Sequence, residues 1–324
     1  MDLGAFIIPT GIGASIGGYA GDASFWAREL SKNYRLIVNP NVVNAACFSG
    51  ITENMLYVEG YSLDDFFRGN LCLTPSSNNK IGVIFDKDIS EGVLNVHINT
   101  INAVKTVYGC SVIGWEITDS PVGVDFYITE NSTNSTGTVK NADTLLRAAE
   151  KLIKQGAEAI AIVCKFKDDE DDEAYSSGNG IDPVGGVEAI ISHIISEEFK
   201  VPAAHSPAFE NITISTDIVN PKCAAEYITP TFLPCILLGL SQAPKLNQKG
   251  LSVNNLKFLV MPYNSLGCAP VIECIKRNIP IFAVKENKTA LNVTAEGLNL
   301  NSKCIRTTDK YDDLISRIDS TLRV

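Results

Sequence analysis

Histidine is scarce in this sequence, with three in 324 residues. None stands in a His-Glu-x-x-His or comparable spacing, so no metal site follows from sequence. No Cys-x-x-Cys pair occurs either. The nine cysteines are an odd number scattered along the chain, a pattern of reduced thiols rather than of a disulfide framework. Long apolar runs are missing. The longest, residues 232–240, contains Pro234 and is far short of a bilayer span. Positive charge is in deficit, and a net charge of −10 with a pI near 4.9 excludes sequence-independent nucleic-acid binding, which depends on neutralised phosphates. The first residues run straight into an apolar segment without a basic leader. The expectation is therefore a cytoplasmic protein with no nucleic-acid and no membrane partner. The Asn-x-Ser/Thr sequons at Asn131, Asn134, Asn211, Asn287 and Asn292 are then read as composition alone.

What is present is organised around residues 7–23. Ala5 to Ile8 form a short apolar run of the buried-strand kind, and Pro9 stops the ladder because it has no N–H to donate. Gly11, Gly13, Gly17, Gly18 and Gly21 follow, so the backbone can take positive φ and lie bare against a ligand. Asp22 is expected to cap a helix over 23–32. A loop of free N–H groups at a helix N-terminus is a natural anion seat. Two known phosphate loops are excluded. The Walker spacing from Gly13 to Gly18 is followed by Tyr19 and Ala20 instead of lysine, and the dinucleotide fingerprint meets Ile16 where its third glycine belongs. No cofactor is assigned.

Further along, strands are expected at 34–38, 54–60, 81–85, 111–117 and 124–129, and helices at 93–108 and 144–155. Glu59 reads as a solvated strand end and His97 as a packed or surface histidine. The Ser/Thr/Asn/Gly-rich residues 131–138 read as a surface loop. A boundary near residue 140 divides an N-terminal α/β domain, 1–140, from a C-terminal one, 141–324, as two subdomains or one unit. In the second half the strand-turn-helix-strand theme recurs twice, over 159–204 and 256–284, with a buried helix over 232–240 between them. Such alternation gives α/β architecture with a mostly parallel, Rossmann-like sheet and helices on both faces. The acidic run 168–173 lacks the Asp-x-Asp-x-Asp-Gly spacing of a calcium loop and reads as solvated, with a lid as the other reading.

Parallel strands align their C-terminal ends on one edge, where open α/β sheets bind ligands. Thr10, Gly11, Gly13, Gly17, Gly18, Asp22, Asn41, Gly185, Gly186 and Asn264 are therefore the expected ligand-binding residues. The ligand expected is a small phosphate- or carboxylate-bearing metabolite. His205, read at the end of a strand over 200–204, is the candidate general base, since imidazole titrates near neutrality, with Asp182 or Glu188 as its partner. Glu188 and His193 are about 140° apart round one helix and do not share a face. An acid/base enzyme is favoured, and a non-catalytic ligand sensor or carrier is the alternative. The sequence leaves homo-oligomerisation open.

A third reading is cysteine-based. Leu266-Gly267-Cys268-Ala269-Pro270 resembles one half of the cofactor-independent amino-acid racemases, with the stretch ending in Cys47 set against the other half, although neither carries the fuller motif. A wider resemblance rests on residues 8–23 (Ile-Pro-Thr-Gly-Ile-Gly-Ala-Ser-Ile-Gly-Gly-Tyr-Ala-Gly-Asp-Ala), Asn39-Pro40-Asn41-Val42, Leu56-Tyr57-Val58-Glu59-Gly60, Asp182-Pro183 with Glu188 to His193, and Pro262-Tyr263-Asn264. Together these resemble a domain-of-unknown-function family well represented in cyanobacteria, over nearly the whole chain. Where a histidine is expected before Pro40, this chain carries Asn39. The resemblance implies no activity.

Overall fold

The computed structural model describes residues 1–130, 133–168, 173–300 and 303–323. Asn131 and most of the acidic run, 169–172, lie outside the described residues. The main elements in chain order are β1 (Leu3–Phe6), α1 (Ser24–Ser31), β2 (Arg35–Val38), β3 (Met55–Tyr57), α2 (Gly60–Arg68), β4 (Ile81–Phe85), α3 (Glu91–Tyr108) and β5 (Val112–Ile117). Next come the hairpin β6 (Val124–Ile128) and β7 (Ser135–Val139), then α4 (Ala142–Lys154), β8 (Ala159–Lys165), α5 (Gly185–Phe199), β9 (Ala203–Ala208) and α6 (Leu233–Ser241). The chain closes with β10 (Leu256–Pro262), α7 (Ala269–Lys276), β11 (Ile281–Val284), β12 (Ile305–Thr308) and α8 (Leu314–Leu322).

These strands make two parallel sheets. The six-stranded sheet has the order β12-β11-β10-β1-β2-β3, and the four-stranded sheet the order β9-β8-β4-β5. Strand order reverses between β1 and β10 in the first and between β4 and β8 in the second, the positions where a crevice forms at strand C-termini. The first sheet draws on both ends of the chain, and the second is built from the segment between them. Residue 140 falls between β7 and α4, inside that central segment.

Burial on both faces explains why the strands are continuous apolar runs. In β1 the side chains alternate. Leu3, Ala5 and Ile7 face a core shared with α2 and α7, while Phe6 and Ile8 face a larger core on the other side. That larger core joins the two sheets, because Val83 and Phe85 of β4 and Ala161 and Val163 of β8 contribute to it, and α6 fills it with Leu233, Ile236, Leu237 and Leu240. The far face of the second sheet is covered by α4 and α5, with Leu145, Ala148, Leu152, Val187, Ile191 and Ile195 buried there. Each fully buried aliphatic or aromatic side chain contributes about 1.5–3 kcal/mol. Gly4 leaves room for Phe258 on the neighbouring strand, where a β-carbon would stand 2.2 Å from the ring.

Four local expectations are corrected. The expected loop over 131–138 is largely strand: Ser135–Val139 pairs antiparallel with Val124–Ile128, and Ser135 N–H donates to the Gly11 carbonyl at 2.8 Å, so the hairpin is docked on the glycine loop. His205 lies inside β9, opposite Ile162, and not at its end. The strand continues through Pro207, which donates no N–H, because β9 is an edge strand. Asp22 does not cap α1, whose N-cap is Ala23; its carboxylate turns back on the glycine loop. Glu59 is 3% exposed and caps α2, accepting from Tyr61 N–H and Ser62 N–H at 2.8 Å. The terminal β12 and α8 are additions to the expected elements.

Gly186 fixes how closely the hairpin approaches α5. A β-carbon there would lie 2.0 Å from the Ser135 carbonyl oxygen, which is backbone and cannot swing away. Gly186→Ala should therefore cost about 3 kcal/mol through overpacking, read as a lowered urea midpoint. An unchanged midpoint would mean the hairpin is free to shift.

Candidate functional site

The C-terminal ends of β1, β2 and β3 open on a cleft of about 880 Å³. Ile7, Pro9 and Thr10 follow from β1, Asn39 to Asn41 from β2, and Glu59, Gly60 and Asp64 from β3 and the start of α2. The opposite wall is α5 with β9, and residues from 209–232 complete the lining. The cleft thus lies between the two sheets, at the strand ends of the first.

Glu188 and His205 meet in the α5 wall. His205 Nδ1 lies 3.1 Å from Glu188 Oε1, with the histidine side chain 1% and the glutamate side chain 23% exposed. The other ring nitrogen is occupied as well: Cys164 N–H donates to His205 Nε2 at 3.2 Å. An imidazole that accepts at Nε2 carries its proton on Nδ1, so His205 donates to Glu188. Phe166 stacks on the ring at 5.1 Å and an interplanar angle of 17°. Burial pushes Glu188 up to about 8 and His205 down to about 3, the latter against the nearby Asp86 carboxylate. Near neutral pH the pair is uncharged, with the removable proton on Glu188, whose carboxyl lines the cleft.

Several N–H groups of the glycine loop, those of residues 15–17, 19 and 20, are engaged by the chain itself. Gly17 N–H donates to Asp22 at 2.6 Å and Tyr19 N–H to the same oxygen at 3.4 Å. Ala20 N–H donates to Glu226 at 2.7 Å, and Ile16 N–H to Asn287 at 3.0 Å. Glu226 also accepts from Tyr175 OH at 3.0 Å, and burial with Asp182 and Asp22 nearby raises it to about 8. Burial raises Asp22 to about 6 against its bond from Gly17. Two carboxyl groups of the chain therefore accept from the Gly17, Tyr19 and Ala20 N–H groups, part of the seat in which a ligand anion was expected. Glu59, Asp64, Asp182, Glu188 and Glu226 all line the cleft, and no lysine or arginine does so among the described residues.

On the α2 side His193 Nε2 stands 3.6 Å from Glu59 Oε2. Glu188 and His193 both reach the lining, because the cleft follows α5 over Gly185, Glu188, Ala189, Ser192 and His193. Cys235 and Cys268 line it too, with burial raising their thiols to about 12 and about 11. Cys47 is not among the lining residues. No group of three or more His, Cys, Asp or Glu among the described residues is arranged to hold a metal ion.

Of the residues singled out from sequence, Thr10, Gly18, Asn41, Asp182, Gly185, Glu188 and His205 line the cleft. The others stand behind it. Gly11 at φ +71° carries the hairpin, Gly13 packs on Ile181, Gly17 at φ +84° turns its N–H to Asp22, and Gly186 lies under Ser135. Asn41 donates to the Gly17 carbonyl, which ties the loop to β2. Asn264 accepts from Thr289 N–H at 3.0 Å and holds a loop outside the lining. Sequence reasoning missed Glu226, Tyr175 and Asp64. Only Asp64 sits in a regular element long enough to show periodicity, and its i,i+4 partner Arg68 at 3.1 Å marks it as an ordinary helix-surface charge.

The family DUF3326, described as proteins of unknown function, matches residues 4–318. The chain belongs to that family. An uncharacterised lipoprotein of Synechococcus sp. (strain ATCC 27144 / PCC 6301 / SAUG 1402/1) is 39% identical over 311 residues, covering 93% of this chain and 86% of the relative. No solved structure matches. The relative's name overturns the expectation of a cytoplasmic protein, since a lipoprotein is held at a membrane by its lipid. The described residues of this DUF3326 member contain no helix long and apolar enough to cross a membrane.

Proposed function

We propose that the chain is a small-molecule enzyme in which Glu188 exchanges a proton with the bound ligand and His205 positions it. The observation that carries this reading is the buried Glu188–His205 pair at 3.1 Å, with His205 Nε2 already holding Cys164 N–H. An imidazole engaged at both nitrogens has no lone pair for a substrate. The carboxyl that faces the cleft is then the acid/base group, and its raised pKa suits proton transfer near neutrality. His205 thus moves from general base to positioning residue. Asp182, which accepts from Val184 N–H at 3.0 Å at the start of α5, fixes the helix that carries Glu188. The anionic ligand read from the glycine loop gives way to a neutral or cationic one, because the Gly17, Tyr19 and Ala20 N–H groups are held by Asp22 and Glu226 and no lysine or arginine among the described residues lines the cleft.

The test is incubation of wild type and Glu188→Gln with a metabolite extract, followed by mass spectrometry. Wild type should deplete one compound and produce another, and the variant should do neither while still retaining the depleted compound on gel filtration. Equal turnover by both proteins would remove Glu188 from the chemistry. Retention by both without turnover would leave a carrier.

A further inference from the structure

We infer that the cleft takes a ligand bearing a protonated amine, seated at the glycine-loop end between aromatic rings, the Asp182 carboxylate and the hydrogen-bonding carboxyl of Glu226. This rests on reading the cleft as the ligand site. It is carried by the kinds of side chain that meet there. Tyr19, Tyr175 and Tyr227 line that end together with Asp182 and Glu226. The Tyr19 and Tyr175 rings pack at 4.6 Å. Aromatic faces attract cations through their quadrupole, and a carboxylate beside such a face adds charge attraction that an anion would meet as repulsion. The chain already makes this contact once: the Lys222 ammonium sits over the Tyr19 ring, 4.7 Å from its centre. No lysine or arginine among the described residues lines the cleft, so an anionic ligand would meet no cationic side chain in the lining itself. Ile7, Leu63, Phe232 and Ile236 add apolar surface to the lining. The ligand class this fits is an ammonium group on a partly apolar body.

The arrangement differs from a general surface effect of an acidic protein. A net charge of −10 attracts cations loosely everywhere, whereas an aromatic and carboxylate seat distinguishes one end of one cleft. Its signature is therefore dependence on particular side chains. Asp182→Asn keeps an oxygen for Val184 N–H and removes the charge, and Tyr227→Leu removes a ring while keeping apolar volume.

The probes are n-hexylamine, n-hexyltrimethylammonium, 1-hexanol, hexanoate and hexyl phosphate, which share one chain and differ in head group. Binding to the full chain is measured by calorimetry and by the melting temperature, with circular dichroism to confirm that each variant is folded. The two cationic probes should bind and raise the melting temperature, the alcohol weakly, and the two anions not at all. Asp182→Asn and Tyr227→Leu should each weaken the amine roughly tenfold. Anions binding as well as amines, amines failing to bind, or amine binding unchanged in both variants would each overturn the inference. The acid/base reading is separable by its own readout. If Glu188→Gln abolishes turnover of a metabolite that proves anionic, this inference fails and that reading stands. If amines bind as expected and Glu188→Gln leaves turnover intact, the reverse holds.

Discussion

Glu188→Gln should bind the ligand with near wild-type affinity and turn it over ~10²- to 10⁴-fold more slowly, the span that a positioned acid/base group contributes. Glutamine keeps an oxygen for the His205 Nδ1–H and nearly the same volume, so the α5 wall is preserved. What it loses is the proton. Because burial holds the wild-type carboxyl at about 8, kcat/KM for a step in which Glu188 donates should be level near neutrality and fall above about pH 8. That limb should vanish from the residual activity of the variant. A rate that rises through pH 8 would instead make Glu188 the base in its ionised form. A pH profile unchanged by Glu188→Gln would sink the assignment. Replacing His205 by glutamine should lower the rate less and move the limb, since the ring acts through the carboxyl it orients.

The second large effect is on stability. Glu188 and Glu226 have ordinary carboxyl values of 4.5 and folded values of about 8. Between these, the native state holds protons that the unfolded chain has released, so stability falls as pH rises. His205 works in the other direction. Its ordinary value is 6.5 and its folded value about 3, so between them the unfolded chain binds the proton and acidification destabilises. Below pH 6.5 it therefore offsets one of the glutamates. Asp22, raised from 3.8 to about 6, has the same sense as the glutamates but is spent by that pH. From pH 6.5 to 8 the two glutamates act unopposed, and stability should fall by up to about 4 kcal/mol. Urea unfolding at the two pH values measures this. The Glu188→Gln, Glu226→Gln double variant should be nearly flat over the same interval. A wild-type curve that is flat or rising there would show that neither carboxyl is protonated in the fold.

The architecture was largely legible because its signals are local. Apolar runs such as residues 81–85 and 258–261 have no period-two alternation, as strands buried on both faces must, and the helix over 144–155 carried its apolar stripe and its glycine stop. Pairing was not legible. Nothing in the sequence near Leu3 indicates that β1 lies beside β10, or that the strands between form a second sheet. Site residues divided in the same way. Glu188 and His205 could be noticed as residue types near strand and helix ends, but the role of His205 depends on Cys164 N–H, which reaches it across a sheet register. Glu59 was hidden because glutamate is an uncommon N-cap. Glu226 was hidden because it stands in a short helix, Ala224–Tyr227, within an otherwise irregular segment. The glycine loop illustrates the limit of motif reasoning: positive φ at Gly11, Gly13 and Gly17 was foreseeable, whereas the destination of the N–H groups it exposes was not.

The division of the first sheet between the chain's two ends bears on how the protein is made. Synthesis delivers β1, β2 and β3 first, but β1 waits for β10, whose register runs Gly4 to Phe258 and Phe6 to Val260. Until then the β1 edge of the nascent three-strand unit has no pairing partner, while β4, β5, β8 and β9 can close among themselves. Late, long-range pairing of this kind is slow and exposes an edge to other chains. The newborn protein is thus most vulnerable to aggregation between completion of its middle and arrival of its last quarter, and a ribosome paused in that interval would present a client for chaperones.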